Sequence, residues 1–186
     1  MIRQAKKEDK KEAAILMYEA ILDIAHTLTG ETEQTAVLTE LEHLFIREGN
    51  RISYENCLVE ELDGKVVGIS ISYPGKDAYF LDQAIKEYIK NKKGIVPMID
   101  KEADETDFYI DTLSVNRAYR GQKIGTELLR ASVKKGKEKG YKTASLLVEQ
   151  NNEKARKLYE RQHFIYKKTV TVHNHLYDYL VKSVDA

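Results

Sequence analysis

Tyr109-Ile110-Asp111-Thr112-Leu113-Ser114-Val115-Asn116-Arg117-Ala118-Tyr119-Arg120-Gly121-Gln122-Lys123-Ile124-Gly125-Thr126-Glu127-Leu128-Leu129 is the stretch on which the fold turns. It reads as a strand, a tight turn and the start of a helix, with small residues where the backbone must approach something closely. The first turn of a helix carries unpaired N–H groups and a partial positive charge, so it can hold a phosphate without dedicated side chains. Gly121 and Gly125 let backbone amides come near such an anion, and Arg120 adds a charged donor. Taken alone, glycine at a strand-to-helix junction is more often plain turn chemistry.

The strand before the turn changes its apolar parity midway. Phe108 and Ile110 lie on one parity, Leu113 and Val115 on the other. A regular strand with one buried face cannot satisfy both, because its side chains alternate. Two explanations stand open: one extra residue, a β-bulge near Asp111-Thr112, or burial of both faces.

Outward from this stretch, periodicity predicts the remaining elements. Ile2 to Gln4 suits a short edge strand. Asp9 with Glu12 resembles a capping box, and Ala14, Met17, Tyr18, Ile21, Leu22, Ala25 and Leu28 then recur at helical spacing as far as Gly30. A second amphipathic helix carries Val37, Leu41, Leu44 and Phe45 and is expected to end at Gly49-Asn50. Cys57 to Leu62 and Val66 to Ile71 flank Asp63-Gly64, a two-residue hairpin signal. A third helix runs from Asp77, with Leu81, Ala84, Ile85, Tyr88 and Ile89 inward and Gly94 near its end. The pattern then gives a strand over 108–115, a helix from about Gln122 to Lys139, a strand over 141–148, a helix over 153–161 and a final antiparallel pair, 165–172 and 176–181. Hairpins mixed with crossover connections imply a mixed α/β sheet flanked by helices.

A second informative block follows: Asn151-Asn152-Glu153-Lys154-Ala155-Arg156-Lys157-Leu158-Tyr159-Glu160-Arg161-Gln162-His163-Phe164. Together the two blocks resemble the GNAT superfamily of N-acetyltransferases. Arg120 to Gly125 is similar to its pyrophosphate-binding pattern Gln/Arg-x-x-Gly-x-Gly/Ala, with Lys123 where a glycine is usual. A lysine fits there if its φ is negative, as expected at a helix start. Asn152, Ala155, Leu158, Tyr159, Glu160 and Phe164 match the second block, with His163 replacing a glycine. The opening Ile2-Arg3-x-Ala5 with Asp9 also resembles the family's first strand and turn.

The resemblance implies a central, mostly antiparallel sheet splayed between its fourth and fifth strands, with acetyl-coenzyme A as co-substrate. It implies a bulge in the strand before the turn, with the pantetheine arm lying in the gap that follows. The Leu113 N–H would then polarise the thioester carbonyl, and Ser114 and Val115 would bind the pantetheine. Arg120, Gly121, Gln122, Lys123, Ile124, Gly125 and Thr126 would hold the diphosphate, with Asn152 and Ala155 also against the coenzyme. The implied reaction is direct attack by a primary amine in a ternary complex. Tyr159 would protonate the leaving thiolate, and Asp111 would hold the amine or relay its proton. A packing role for Tyr159 and a structural role for Asp111 are the alternatives. A non-catalytic acyl-coenzyme-A sensor is the competing reading at the level of function.

Composition limits the rest. A chain of 186 residues, 42% hydrophobic and 32% charged, suits one globular domain. Lys+Arg and Asp+Glu number 30 each, so no global field gathers nucleic acid or anionic membrane, although 117–142 is locally basic. The single Cys57, the lack of a secretory signal and the lack of a long apolar run predict a cytoplasmic protein. His173-Asn174-His175 reads as a hairpin turn; two histidines without further ligands predict no metal site. Lys134 to Lys139 reads as a solvated helix end, and Glu60 and Glu61 as water-facing. The segment 78–107 is expected to wall the acceptor site. Its acidic run Asp100, Glu102, Asp104, Glu105 and Asp107 is either a lure for a cationic acceptor or a solvated loop. Acceptors of small-molecule and protein type, and monomer and homodimer, all stay open.

Overall fold

The computed structural model describes residues 1–185 and contains one seven-stranded sheet in the order β1-β2-β3-β4-β5-β7-β6. Its strands are β1 (Ile2–Gln4), β2 (Cys57–Leu62), β3 (Lys65–Pro74), β4 (Phe108–Val115), β5 (Thr143–Glu149), β6 (Ile165–Val172) and β7 (His175–Ser183). The helices are α1 (Lys10–Thr29), α2 (Gln34–Ile46), α3 (Ala78–Lys93), α4 (Ile124–Glu138) and α5 (Glu153–Arg161). All neighbouring strands pair antiparallel except β4 with β5, which are joined by the α4 crossover. The hairpin signal at Asp63-Gly64 is realised with φ of 50° and 74°, the left-handed pair that a two-residue turn demands.

The sheet opens where the resemblance implies. β4 and β5 pair only from Phe108↔Ala144 to Ile110↔Leu146. Beyond that point β5 continues against β7 as far as Glu149↔Tyr177, while the β5-side edge of residues 111–115 has no strand partner.

The same place holds the bulge. β3 registers Ile71 with Thr112 but Ser72 with Ile110, so Asp111 is the inserted residue. The insertion keeps the apolar residues on both sides of it turned towards α4. Phe108 lies against Gly136, Ile110 clusters with Leu129, and Leu113 and Val115 pack beside Ile124 and Leu128. Tyr109, Thr112 and Ser114 are buried as well, with Tyr109 in the core shared with α1 and α2. Bulge and two-sided burial therefore coexist. Gly68 on β3 seats the head of α4, since a Cβ there would stand 2.9 Å from Leu128 Cδ1 and 3.0 Å from Ile124 Cγ2.

Two helix ends and one helix interior differ from expectation. Asp9 precedes α1 without capping it; its carboxylate takes the Lys6 N–H at 2.7 Å and the Arg3 guanidinium at 2.8 and 2.9 Å. α2 stops at Ile46, because the Asn50 side-chain amide donates to the carbonyls of Leu44 and Arg47 and satisfies them from outside the helix. α1 is broken at Leu22 (φ 26°, ψ −98°), where neither proline nor glycine stands.

Candidate active site

A groove of about 1090 Å³ follows the opening between β4 and β5. The head of α4 and one side of α5 wall one half. The middle of α1, the β6–β7 turn and the floor around Arg51 wall the other. Leu113, Ser114 and Val115 line the passage between the halves.

At the α4 end the chain reverses sharply before the helix. Gly121 has φ 84° and Lys123 has φ 64°, so Lys123 is left-handed, against the negative φ expected of it. The helix accordingly starts at Ile124, two residues later than the apolar pattern suggests. Left-handed residues on both sides of Gln122 fold the main chain into a concave turn of N–H groups, an arrangement suited to anions. A lysine in this conformation costs about 1–2 kcal/mol relative to a right-handed one. The first intrahelical bond runs from Glu127 N–H to the Lys123 carbonyl at 3.0 Å, so the amides of Ile124, Gly125 and Thr126 have no partner within the helix.

Charged side chains around this turn are mostly basic. Arg120, Lys123, Arg130, Lys154 and Arg161 line the half, with Glu127 opposing them. Arg120 Nε donates to the Val115 carbonyl at 3.1 Å, and Arg130 Nε bridges α4 to the end of α5 through Gln162 Oε1 at 2.9 Å. Gln122 is exposed and lies outside the groove lining. Asn152 lines the groove, but its Oδ1 accepts the Ala155 N–H at 3.1 Å, so its side chain caps α5. Ala155, Leu158 and Tyr159 complete the α5 wall. Tyr159 is 9% exposed, and burial alone pushes its phenol up to about 12, leaving it protonated at neutral pH.

The opposite half is built on a buried arginine. Arg51, with its side chain 3% exposed, donates from Nε to Asp111 Oδ2 at 2.9 Å, and its Nη2 stands 2.8 Å from the same oxygen. It also reaches Glu102 Oε1 at 2.9 Å and Asp82 Oδ1 at 3.3 Å. Tyr73 donates to Asp111 Oδ2 at 2.7 Å and Tyr109 to Glu102 Oε2 at 2.6 Å. One guanidinium thus faces three carboxylates. Burial raises the Glu102 carboxyl above the usual glutamate range, and Asp111 adds to the rise while Arg51 and Tyr109 oppose it. Asp82 is pushed up to about 6 by the same burial, against the pull of Arg51. Glu19, Asp23 and Glu149 line this half too, so it is as acidic as the other is basic.

The acidic run after α3 is not a solvated loop. Asp107 is buried and accepts from the Gly75 N–H through its carbonyl at 2.8 Å and from the Tyr179 hydroxyl through Oδ2 at 2.8 Å. Asp104 takes Lys167 at 2.9 Å and Lys168 at 2.6 Å, and Asp100 takes the His173 N–H at 2.8 Å. These anchors carry Glu102 into the floor of the groove. Nothing in the run itself marks Glu102 apart from its acidic neighbours.

The remaining expectations sort simply. His173 and Asn174 adopt φ of 49° and 63°, as a tight hairpin turn requires. Among the described residues no group of three or more His, Cys, Asp or Glu stands close enough to hold a metal ion, and no helix is long and apolar enough to cross a membrane. Glu61 pairs with Arg3 at 2.7 Å and Glu60 with the chain's amino terminus, so neither is merely hydrated. In the lysine run one residue departs: Lys135 buries its Nζ, and burial lowers its pKa. Arg51, Tyr73, Tyr109, Arg130, Lys154 and Arg161 were not singled out by motif. A carboxylate inside an apolar strand, Asp111, was the available hint that a buried cation exists, but nothing local points to Arg51.

The Acetyltransferase (GNAT) family profile matches residues 18–164. No curated protein sequence matches the chain. Among solved structures, an N-acetyltransferase from Staphylococcus aureus Mu50 is 32% identical with a TM-score of 0.85, over 98% of this chain and all of that one. A structure described as an acetyltransferase is 31% identical with a TM-score of 0.83, over 99% of each chain. The fold is also shared with the PaiA N-acetyltransferase of Thermoplasma acidophilum, solved in complex with coenzyme A, at 15% identity, a TM-score of 0.57 and 98% of each chain.

Proposed function

The chain belongs to the acetyltransferase (GNAT) family, and on that premise we propose that it moves the acetyl group of acetyl-coenzyme A to a primary amine by direct attack in a ternary complex. The whole chain would act as one such domain, in the cytoplasm. One observation carries the reading: a single groove joins an anion-accepting turn to a buried, protonated tyrosine across the opening of the sheet.

On this reading the donor would lie along the groove. The N–H groups from Gly121 to Thr126 would take the diphosphate, with Arg120, Lys123 and Arg130 supplying positive charge. The free edge of residues 111–115 would pair with the amide-bearing pantetheine arm. When bound, the coenzyme supplies an activated acetyl thioester. The Leu113 N–H would polarise its carbonyl, and Tyr159 would donate a proton to the departing sulfur. Asp111 would hold the amine through one oxygen. Its Oδ2 already accepts from Arg51 and Tyr73, whereas Oδ1 is met by the Thr112 hydroxyl at 3.3 Å and would remain available to an ammonium group.

Thiol release from acetyl-coenzyme A across a panel of small primary amines and amine-bearing peptides tests the proposal. Release that depends on an amine is the expected result. Coenzyme binding by calorimetry without amine-dependent release would point to a sensor instead, and absence of coenzyme binding would remove both readings.

A further inference from the structure

An alkylamine reaches the protein as an ammonium ion and must lose a proton before its nitrogen can attack. Several groups border the acidic half of the groove, and they are not equivalent. Asp111 has Oδ2 filled by Arg51 Nε and the Tyr73 hydroxyl, with Arg51 Nη2 2.8 Å away, and keeps only Oδ1, met by the Thr112 hydroxyl at 3.3 Å, for an ammonium group. Asp82 belongs to the same cluster but does not line the groove. Glu19, Asp23 and Glu149 sit at the walls, the last within 3.3 Å of His175 Nδ1. Glu102 lines the groove with its side chain 9% exposed, and has each oxygen held by a single donor, Arg51 on Oε1 and Tyr109 on Oε2. A carboxylate has about four lone-pair sites, so each of those oxygens keeps room for one more partner.

Resting on the acetyl-transfer reading above, we infer that Glu102 is the group that takes the acceptor's proton, with Arg51 and Tyr109 as its positioning residues. The ammonium transfers one proton to the Glu102 carboxylate. The neutral nitrogen then forms its bond to the thioester carbonyl carbon, and the carbon–sulfur bond breaks. Tyr159 gives its proton to the sulfur. The attacking nitrogen sheds a second proton as the amide forms, and this one restores Tyr159 through water. The proton on Glu102 passes to solvent, so the turnover yields amide, free thiol and one proton. The upward shift of the Glu102 carboxyl, caused by its burial, suits this role because it increases the group's affinity for a proton. The groups that set its affinity are Arg51 on the loop after α2, Tyr73 on β3, Asp82 on α3, and Tyr109 and Asp111 on β4. Asp23 of α1, Glu149 of β5 and Tyr177 of β7 line the same half of the groove.

Two amines of nearly equal shape separate this role from a structural one: a simple alkylamine, protonated at neutral pH, and its fluorinated analogue, largely neutral there. Glu102→Gln should lose about 10²–10⁴-fold in kcat/KM towards the protonated amine and only a few-fold towards the neutral one. Equal losses for both, or no loss for either, overturn the assignment. Should Glu102→Gln fail to fold, Tyr109→Phe carries the test. Removing that hydroxyl removes a donor to the charged carboxylate, so the acidic limb of the kcat/KM profile should move to higher pH. An unmoved limb overturns the inference. If the parent protein binds coenzyme A yet acetylates neither amine, the acetyl-transfer reading fails first and takes this one with it.

Discussion

Replacing Asp82 by asparagine should stabilise the protein at neutral pH, opposite to the usual result of removing one member of a buried ion pair. Arg51 directs its shorter bonds to Asp111 and Glu102, and Asp82 receives the longest at 3.3 Å. Burial raises the Asp82 carboxyl from its ordinary 3.8 to about 6, and the neighbouring Asp111 and Glu102 add to the rise while Arg51 opposes it. An acid whose folded pKa lies above its unfolded value binds protons more tightly when folded. The stability it contributes is therefore full below pH 3.8 and declines as pH rises through about 6. Each pH unit of that window is worth about 1.4 kcal/mol, so the decline approaches ~3 kcal/mol by neutral pH. Asparagine keeps an oxygen for Arg51 and carries no charge, so it escapes this loss. Urea unfolding followed by circular dichroism is the assay. At about pH 4 parent and variant should unfold together. At about pH 8 the variant's midpoint should be higher by roughly 1–1.5 M, taking a slope of about 2 kcal/mol/M. A variant that runs parallel to the parent, or unfolds earlier at about pH 8, refutes the reasoning: the third carboxylate would then be favourably paired rather than in excess.

Tyr159→Phe should slow turnover by about 10²–10⁴ while leaving coenzyme affinity within a few-fold, and near-parent turnover at saturating substrates removes the tyrosine from the chemistry. Lys123→Gly should relieve the left-handed backbone by about 1 kcal/mol and raise Tm by roughly 2–4 °C; a fall in Tm contradicts the φ of 64° at this residue. Gly75→Ala would place a Cβ 1.9 Å from the Asp104 carbonyl oxygen and 3.0 Å from that of Asp107. The segment that carries Glu102 must then shift. Weakened amine turnover with coenzyme binding retained is the expected outcome, measured by steady-state kinetics and calorimetry.

Much of the molecule was legible in the chain because it is written in local chemistry. Period-two and period-3.6 apolar patterns, Asp63-Gly64 and Asn174 at their turns, and the glycine-bearing junction at Gly121 act over a few residues, and each appears where its pattern lies. The parity change around Asp111 marked an irregularity that either a bulge or two-sided burial could satisfy, and the fold uses both. Tertiary packing decided the sign of φ at Lys123, the division of the groove into a basic and an acidic half, and the partnership of Arg51 with carboxylates from α3, β4 and the loop between them. Those partners lie 31, 51 and 60 residues from Arg51. Sequence periodicity records which face of an element is apolar, whereas charge pairing depends on distance through space. For Arg51 and Glu102 that distance is set only once the loop before β4 is anchored by Gly75 and Tyr179.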